Sequence, residues 1–192
     1  MIAAERVAVV LLAAGLSTRF GSRDKLAAPL DGVPLGLHAA RRFASLPFVA
    51  KIVVVGEGGP DFGSSGFETV VNPDPGAGQS RSIGLGLAAA LRCAPDAVLI
   101  LLADMPFVTI AHIEALLAQL DADHPVVAST DGAHPSPPAL FAPSSFALLA
   151  DLTGDTGARA LLRTATLVAA SPAELADVDT PDDLRLVAGE TY

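Results

Sequence analysis

Three segments of this 192-residue chain carry residue types suited to phosphate and metal chemistry. The first is Leu12-Ala13-Ala14-Gly15-Leu16-Ser17-Thr18-Arg19-Phe20-Gly21-Ser22-Arg23-Asp24-Lys25-Leu26, directly after an apolar run. Its small residues let a ligand approach the backbone, and Gly15 and Gly21 admit turn conformations closed to other residues. Exposed amides in such a turn, with Arg19 and Lys25 beside them, suit a polyphosphate. A plain strand–helix connection with surface bases is the alternative. The Gly-Lys-Ser/Thr ending of a Walker A loop is absent. The second segment runs from Asn72 to Ile83 and leads from a strand into a helix. The third is Ala103-Asp104-Met105-Pro106. A carboxylate at the end of a buried strand can hold a hard cation, since Mg²⁺ takes one or two carboxylates plus phosphate oxygens and water. Taken alone, such an Asp is more often a turn or cap residue; the first segment beside it favours the metal reading.

These segments need a scaffold that gathers strand ends. Val7–Ala14 reads as a buried strand, continuous rather than alternating, as in a parallel sheet covered on both faces. Further strands are expected at Lys51–Val55, Phe67–Val71, Ala97–Leu102, Pro125–Ala128 and Leu167–Ala170. Helices are expected over Val33–Leu46, Ser80–Cys93, Thr109 to about Leu120, Ser144–Leu152 and Thr156–Arg163. A closing helix begins at Thr180 as N-cap with Pro181 in its first position. This alternation predicts one α/β domain over residues 1–192, a three-layer α/β/α sandwich with a Rossmann-like, mostly parallel sheet. Ligands then bind beyond the carboxyl ends of the strands. Gly56–Gly66 and Gly132–Pro138 read as surface loops, and Cys93 as a buried helix residue. Gly84-Leu85-Gly86-Leu87-Ala88-Ala89 fits the G-x-G-x-x-A spacing of a dinucleotide site, but it lies inside a helix pattern rather than at a strand–helix turn. Close packing of that helix on the sheet is the better reading.

Composition narrows the function. There are 12 Lys+Arg against 21 Asp+Glu, a net charge of −9, with 51% hydrophobic residues. Disorder is excluded by so apolar a chain, and the acidic sum argues against a nucleic-acid partner. No apolar segment reaches the roughly 18 residues of a membrane span, so no membrane partner is expected and a cytoplasmic location is the default. One Cys excludes an internal disulfide and a thiolate zinc site, while four His leave a His/carboxylate site open. The charge is uneven. Residues 1–51 hold seven basic and three acidic residues, +4, and the rest hold five against eighteen, −13.

The first segment resembles the LAxGxSxRxG…K signature of the nucleotidyltransferase superfamily. More narrowly, the chain resembles the MobA-like/MocA-like family, in its molybdenum-cofactor cytidylyltransferase branch. The form Ala13-Ala14-Gly15 is closer to the cytidylyltransferases than to the guanylyltransferases, which usually have a second Gly at the place of Ala14. The resemblance continues through Asn72, Gly78 and Ser82 (N…GxxxSL), Asp104 (GDMP, here with Ala103), Pro138-Ala139-Leu140-Phe141 (GxPxLF), Gly154–Arg159 (GDxGAR) and Asp177–Leu184 (D-[IV]-D-T-P-x-D-L). It thereby spans Val7 to Leu184 and implies the nucleotide-diphospho-sugar transferase fold. By this resemblance Leu12, Ala13, Ala14, Gly15, Arg19, Lys25, Asn72, Gly78 and Ser82 bind the nucleotide. Lys25, Arg19 and Asp104 are catalytic, and Asp104 and Asp179 hold Mg²⁺. For Asp179, helix capping is the alternative, and for Asp182 and Asp183 it is the main reading. Gln79 and Arg81 depart from the small or Met residues expected there, and Asp155 and Arg159 suit either acceptor binding or loop structure.

The activity so implied is nucleotidyl transfer, with CMP passing from CTP to a phosphorylated acceptor, molybdenum-bound molybdopterin, and pyrophosphate leaving. A molybdoenzyme or its chaperone is then an implied protein partner. Alternatives in the same class are a GTP-using guanylyltransferase and a transferase for a sugar or isoprenoid precursor. A nucleotide-binding module that delivers cofactor without turnover is the non-enzyme alternative; Lys25 and Asp104 together favour the enzyme.

Overall fold

Alternate residues of β1 (Val7–Ala13) go to opposite faces of a sheet. Val7, Val9 and Leu11 join one buried apolar cluster, and Ala8, Val10 and Leu12 join another. A strand buried on both sides has to read as an unbroken apolar run, which is why β1 does. The computed structural model describes residues 2–21, 24–154 and 161–189.

The strands that follow are β2 (Pro29–Leu30), β3 (Val33–Pro34), β4 (Ala50–Val55), β5 (Glu68–Val71), β6 (Ala97–Leu102), β7 (Val126–Thr130), β8 (Pro135–Phe141) and β9 (Thr166–Ala169). Seven of them form one sheet in the order β5-β4-β1-β6-β8-β7-β9. All neighbouring pairs are parallel except those made by β8, which runs against β6 and β7. The sheet is thus mostly parallel, as expected, and β1 lies between β4 and β6.

Among the described residues, the helices with defined bounds are α1 (Leu35–Phe43), α2 (Gln79–Ala90), α3 (Ile110–Gln119), α4 (Phe146–Ala150) and α5 (Pro181–Val187). Apolar residues of α1 and α3 (Leu35, Phe43, Ile113, Leu116) join the cluster on one face of the sheet, and those of α2 and α4 (Ile83, Leu87, Leu149) the cluster on the other. The result is the three-layer α/β/α arrangement. Gly86 explains how α2 lies so close. A Cβ built there would stand 2.3 Å from Cγ1 of Val10 and 3.1 Å from Cγ2 of Val54, whereas at Gly84 it would meet nothing within 4 Å. The dinucleotide spacing is therefore a packing feature at Gly86.

Several expectations need correction. Gly132–Pro138 is not simply a loop, because residues 135–141 form β8. Cys93 is exposed, at the end of a 3₁₀ turn that follows α2. The helix expected over Val33–Leu46 begins later, at Leu35, since Val33–Pro34 pair with Pro29–Leu30 in a small hairpin. Asp31 and Gly32 form its two-residue turn, both with positive φ. Most of the helix expected over Thr156–Arg163, the family-like Asp155 and Arg159, and Arg23 lie outside the described residues. No helix of the described residues is long and apolar enough to cross a membrane.

Candidate active site

The parallel ladder of β1 and β6 continues one step beyond β6, where the Ala103 N–H donates to the Leu12 carbonyl at 3.0 Å. That bond sets the start of the loop after β1 beside Asp104. The loop is closed by its own polar groups. Ser17 adopts the left-handed conformation (φ +51°), and its Oγ accepts from the Lys25 N–H at 3.2 Å. Oδ1 of Asp24 accepts from the Leu26 N–H at 2.9 Å. Gly21, at φ +77°, fits the turn role expected of it; Gly15 does not, and Ser17 takes the left-handed position instead. At Gly15 the missing side chain leaves open space, with no atom within 4 Å of a built Cβ.

This folding turns Lys25 inward, and its residue is only 8% exposed. Its Nζ donates to Oδ2 of Asp104 at 2.6 Å and to Oδ1 of Asp179 at 2.8 Å. Arg19, largely exposed, donates from Nη1 to Oδ2 of Asp179 at 2.8 Å. Burial works against the Lys25 charge, but the Asp104 and Asp179 carboxylates outweigh it and hold the ammonium above its ordinary pKa. Asp179 is carried there by the chain after Asp177. The Val178 N–H donates to the Asp104 carbonyl at 3.0 Å. Thr180 and Asp183 then form a reciprocal capping box that starts α5, with Pro181 in the first turn. Asp183 caps and Asp182 pairs with Arg185, as their position near a helix start suggests. The Asp179 side chain instead faces Lys25 and Arg19.

The other oxygen of Asp104, Oδ1, is buried and has no hydrogen-bond partner among the described residues. A buried carboxylate oxygen without a donor is costly, and a hard cation satisfies it. Two carboxylates, rather than a cluster of three or more, suit Mg²⁺ shared with phosphate oxygens; no group of three His, Cys, Asp or Glu able to hold a metal occurs among the described residues.

Two adjoining clefts lie on this side of the sheet, the smaller one lined in part by Asp104. The smaller, about 320 Å³, is lined by Leu12, Ala14, Gly15, Gly78, Ser82 and Asp104, with Leu16, Thr18 and Pro75 around them. Six of the residues expected to contact a nucleotide or metal thus share one wall system. Ala13, Arg19, Lys25, Asn72 and Asp179 are not among its lining residues. Asn72 lies beneath it, fully buried. Its Nδ2 donates to Ser82 Oγ at 3.0 Å, and its Oδ1 accepts from the Asp74 N–H at 2.9 Å. Asn72 thereby shapes the turn into α2 instead of facing the cleft. The larger cleft, about 840 Å³, has an apolar floor that includes Ile83, Ile100 and Phe141 and a rim with Asp131, His134, Arg163 and Asp177. Leu12, Gln79 and Leu102 line both clefts, so the two adjoin. Asp177, which opens the Asp177-Val178-Asp179 run, carries no sequence signal that sets it apart from its acidic neighbours, yet it lines the larger cleft. Burial, reinforced by the negative Asp179 and Asp104, pushes its carboxyl above the ordinary range.

The strand order and helix layers are those of the nucleotide-diphospho-sugar transferase fold. The chain belongs to the family of the MobA-like NTP transferase domain, whose model matches residues 9–172. It is 33% identical over 205 residues to the purine catabolism protein PucB of Bacillus subtilis, with 93% of this chain and 94% of that protein covered. Its fold is similar to that of Rv0371C from Mycobacterium tuberculosis H37Rv, solved in complex with manganese (TM-score 0.77, 23% identity, 97% of this chain and all of the other). It is also similar to the molybdopterin-guanine dinucleotide biosynthesis protein A of Archaeoglobus fulgidus (TM-score 0.68, 20% identity, 94% and 96% covered).

Proposed function

We propose that this nucleotidyltransferase transfers CMP from CTP to the terminal phosphate of molybdenum-bound molybdopterin and releases pyrophosphate. The observation that carries the reading is the Lys25 ammonium held by Asp104 and Asp179, with Asp104 itself lining a cleft together with Leu12, Ala14 and Gly15. CTP is favoured by Ala14, and the acceptor by the name of the Archaeoglobus structure of like fold. We treat residues 1–192 as one nucleotidyltransferase domain, because one seven-stranded sheet joins β1 to β9.

In this mechanism the acceptor phosphate attacks the α-phosphorus of CTP. A new P–O bond forms, and the bond to the β-phosphate breaks. A phosphate nucleophile is already anionic near pH 7, so no general base is required. Positioning and charge neutralisation supply the catalysis. Lys25 and Arg19 bear on the α-phosphate and the leaving pyrophosphate, Gly15 and Gly78 let the nucleotide approach the backbone, and the larger cleft receives the acceptor. Asp104, with its orphaned Oδ1, and Asp179 would hold Mg²⁺. When bound there, the ion neutralises charge on the phosphates. A divalent metal agrees with the manganese in the Mycobacterium tuberculosis structure. The test is pyrophosphate release with each of the four nucleoside triphosphates, Mg²⁺ and molybdopterin. Release with CTP above the others is the expected result. Nucleotide-dependent thermal stabilisation without release from any pair would leave a cofactor-delivery module instead of an enzyme.

A further inference from the structure

Pro137 and Pro138 have no N–H to offer a sheet ladder. β7 and β8 respond by shifting register. Ala128 pairs with Ala139, but the next residue, Ser129, pairs with Ser136, so Pro137 and Pro138 bulge out of the ladder. The bulge leaves the Pro138 carbonyl in need of a donor, and Ser129 Oγ donates to it at 2.8 Å. The same oxygen lies 2.7 Å from Nε2 of His112 on α3. Because the one hydroxyl proton of Ser129 is committed to Pro138, the ring nitrogen must be the donor. His112, Ser129 and Pro138 are all buried. Pro135, Ser136, Pro137 and Ala139, on the bulged strand, line the larger cleft. The start of α3 also grips the facing segment, since the Thr109 N–H donates to Oε1 of Glu174 at 3.1 Å and Leu175 lines the same cleft.

We infer that His112, through Ser129 and the Pro138 carbonyl, is a positioning residue that fixes the β8 wall of the acceptor cleft. It touches no substrate. It lies against the side of the sheet where Ile113 and Leu116 pack, whereas Ile100, Ala139 and Phe141 face the other way, into the cleft. Assignment of that cleft to the acceptor rests on the proposed function; the bond relay does not.

The experiment compares the unaltered chain with His112→Leu, Ser129→Ala and His112→Gln, whose amide restores an N–H donor at similar reach. Amide hydrogen exchange is followed over residues 131–141, with Michaelis constants for molybdopterin and CTP in the presence of Mg²⁺. His112→Leu and Ser129→Ala should exchange faster in that segment by at least about tenfold, with other core amides unchanged. They should raise the molybdopterin constant by at least about tenfold and leave that for CTP within about twofold. His112→Gln should return both readouts toward the unaltered chain. Unchanged exchange over 131–141, faster exchange throughout the chain without rescue by Gln, or an unchanged molybdopterin constant beside a loosened bulge would each overturn the inference. If the unaltered chain turns over no molybdopterin, the acceptor assignment fails, and the exchange comparison alone decides whether His112 holds the wall.

Discussion

Lys25 and Asp104 are 79 residues apart in sequence, yet the Lys25 ammonium donates to the Asp104 carboxylate at 2.6 Å. Each is set by the end of a strand, Asp104 by β6 and Lys25 by the loop that leaves β1. Since β1 and β6 are parallel neighbours, both ends open on the same side of the sheet. Opposite charges are thereby gathered at the carboxyl edge of the sheet.

Removing either group should remove turnover but not the fold. Asp104→Asn and Lys25→Ala are each expected to lower kcat/KM for CTP by at least ~10²-fold, on the scale of losing a charge-stabilising group. Steady-state kinetics with far-UV circular dichroism checks this. Near-normal turnover in a folded variant would take that residue out of the mechanism.

Arg19 should behave differently. Its side chain is largely exposed and its pair with Asp179 faces solvent, so the pair adds roughly 0–1 kcal/mol to stability. Arg19→Ala should leave the melting temperature within about 4 °C while raising the Michaelis constant for CTP. Kinetics at low and high salt check this, with the difference between variant and unaltered chain narrowing as salt screens the charge.

The two glycines of α2 give opposite expectations. Gly86→Ala drives a methyl into Val10 and Val54 and should cost about 1–3 kcal/mol by overpacking. Gly84→Ala meets open space and should stabilise by up to about 1 kcal/mol through helix propensity. Chemical denaturation of the two variants side by side decides between packing and a nucleotide contact at Gly86.

Burial holds the His112 imidazole below its ordinary pKa, with the Glu174 charge opposing. A depressed histidine binds fewer protons when folded than when unfolded. Its contribution to stability is therefore complete above the unfolded value of about 6.5 and is lost as pH falls toward the folded one. Unfolding free energy measured from pH 8 to pH 5 should fall more steeply below about pH 6.5 in the unaltered chain than in His112→Gln. Parallel curves would show that His112 does not titrate on unfolding.

How far the sequence could be read follows from what each segment does. β1 and β6 are buried on both faces, so their apolar runs mark them directly. β8 is hidden by Pro135, Pro137 and Pro138, which read as a loop; they fit a strand because the ladder is skipped at 137–138 and a serine hydroxyl takes over one carbonyl. The β2–β3 hairpin did carry a legible signal, the Asp31-Gly32 pair. At the site, the small-residue loop, Lys25 and Asp104 were legible as local pattern. That Lys25 lies between two carboxylates was not, because the contact depends on the register of β1 with β6 and on the Val178–Asp104 bond. Asn72 has a family-like position, but only the structure shows its amide consumed by Ser82 and Asp74. The exposure of Cys93 is not legible in sequence, because the helical pattern continues past Ala90 whereas the chain there winds into an exposed 3₁₀ turn.

The most direct measurement follows the label from CTP carrying ³²P at either the α- or the γ-phosphate, incubated with Mg²⁺ and molybdopterin, for the unaltered chain and Asp104→Asn. The expected result is α-label on the acceptor and γ-label in pyrophosphate, with transfer lost in Asp104→Asn. Label from the γ-phosphate on the acceptor, or no transfer of α-label from CTP, would contradict CMP transfer at the Lys25–Asp104–Asp179 site.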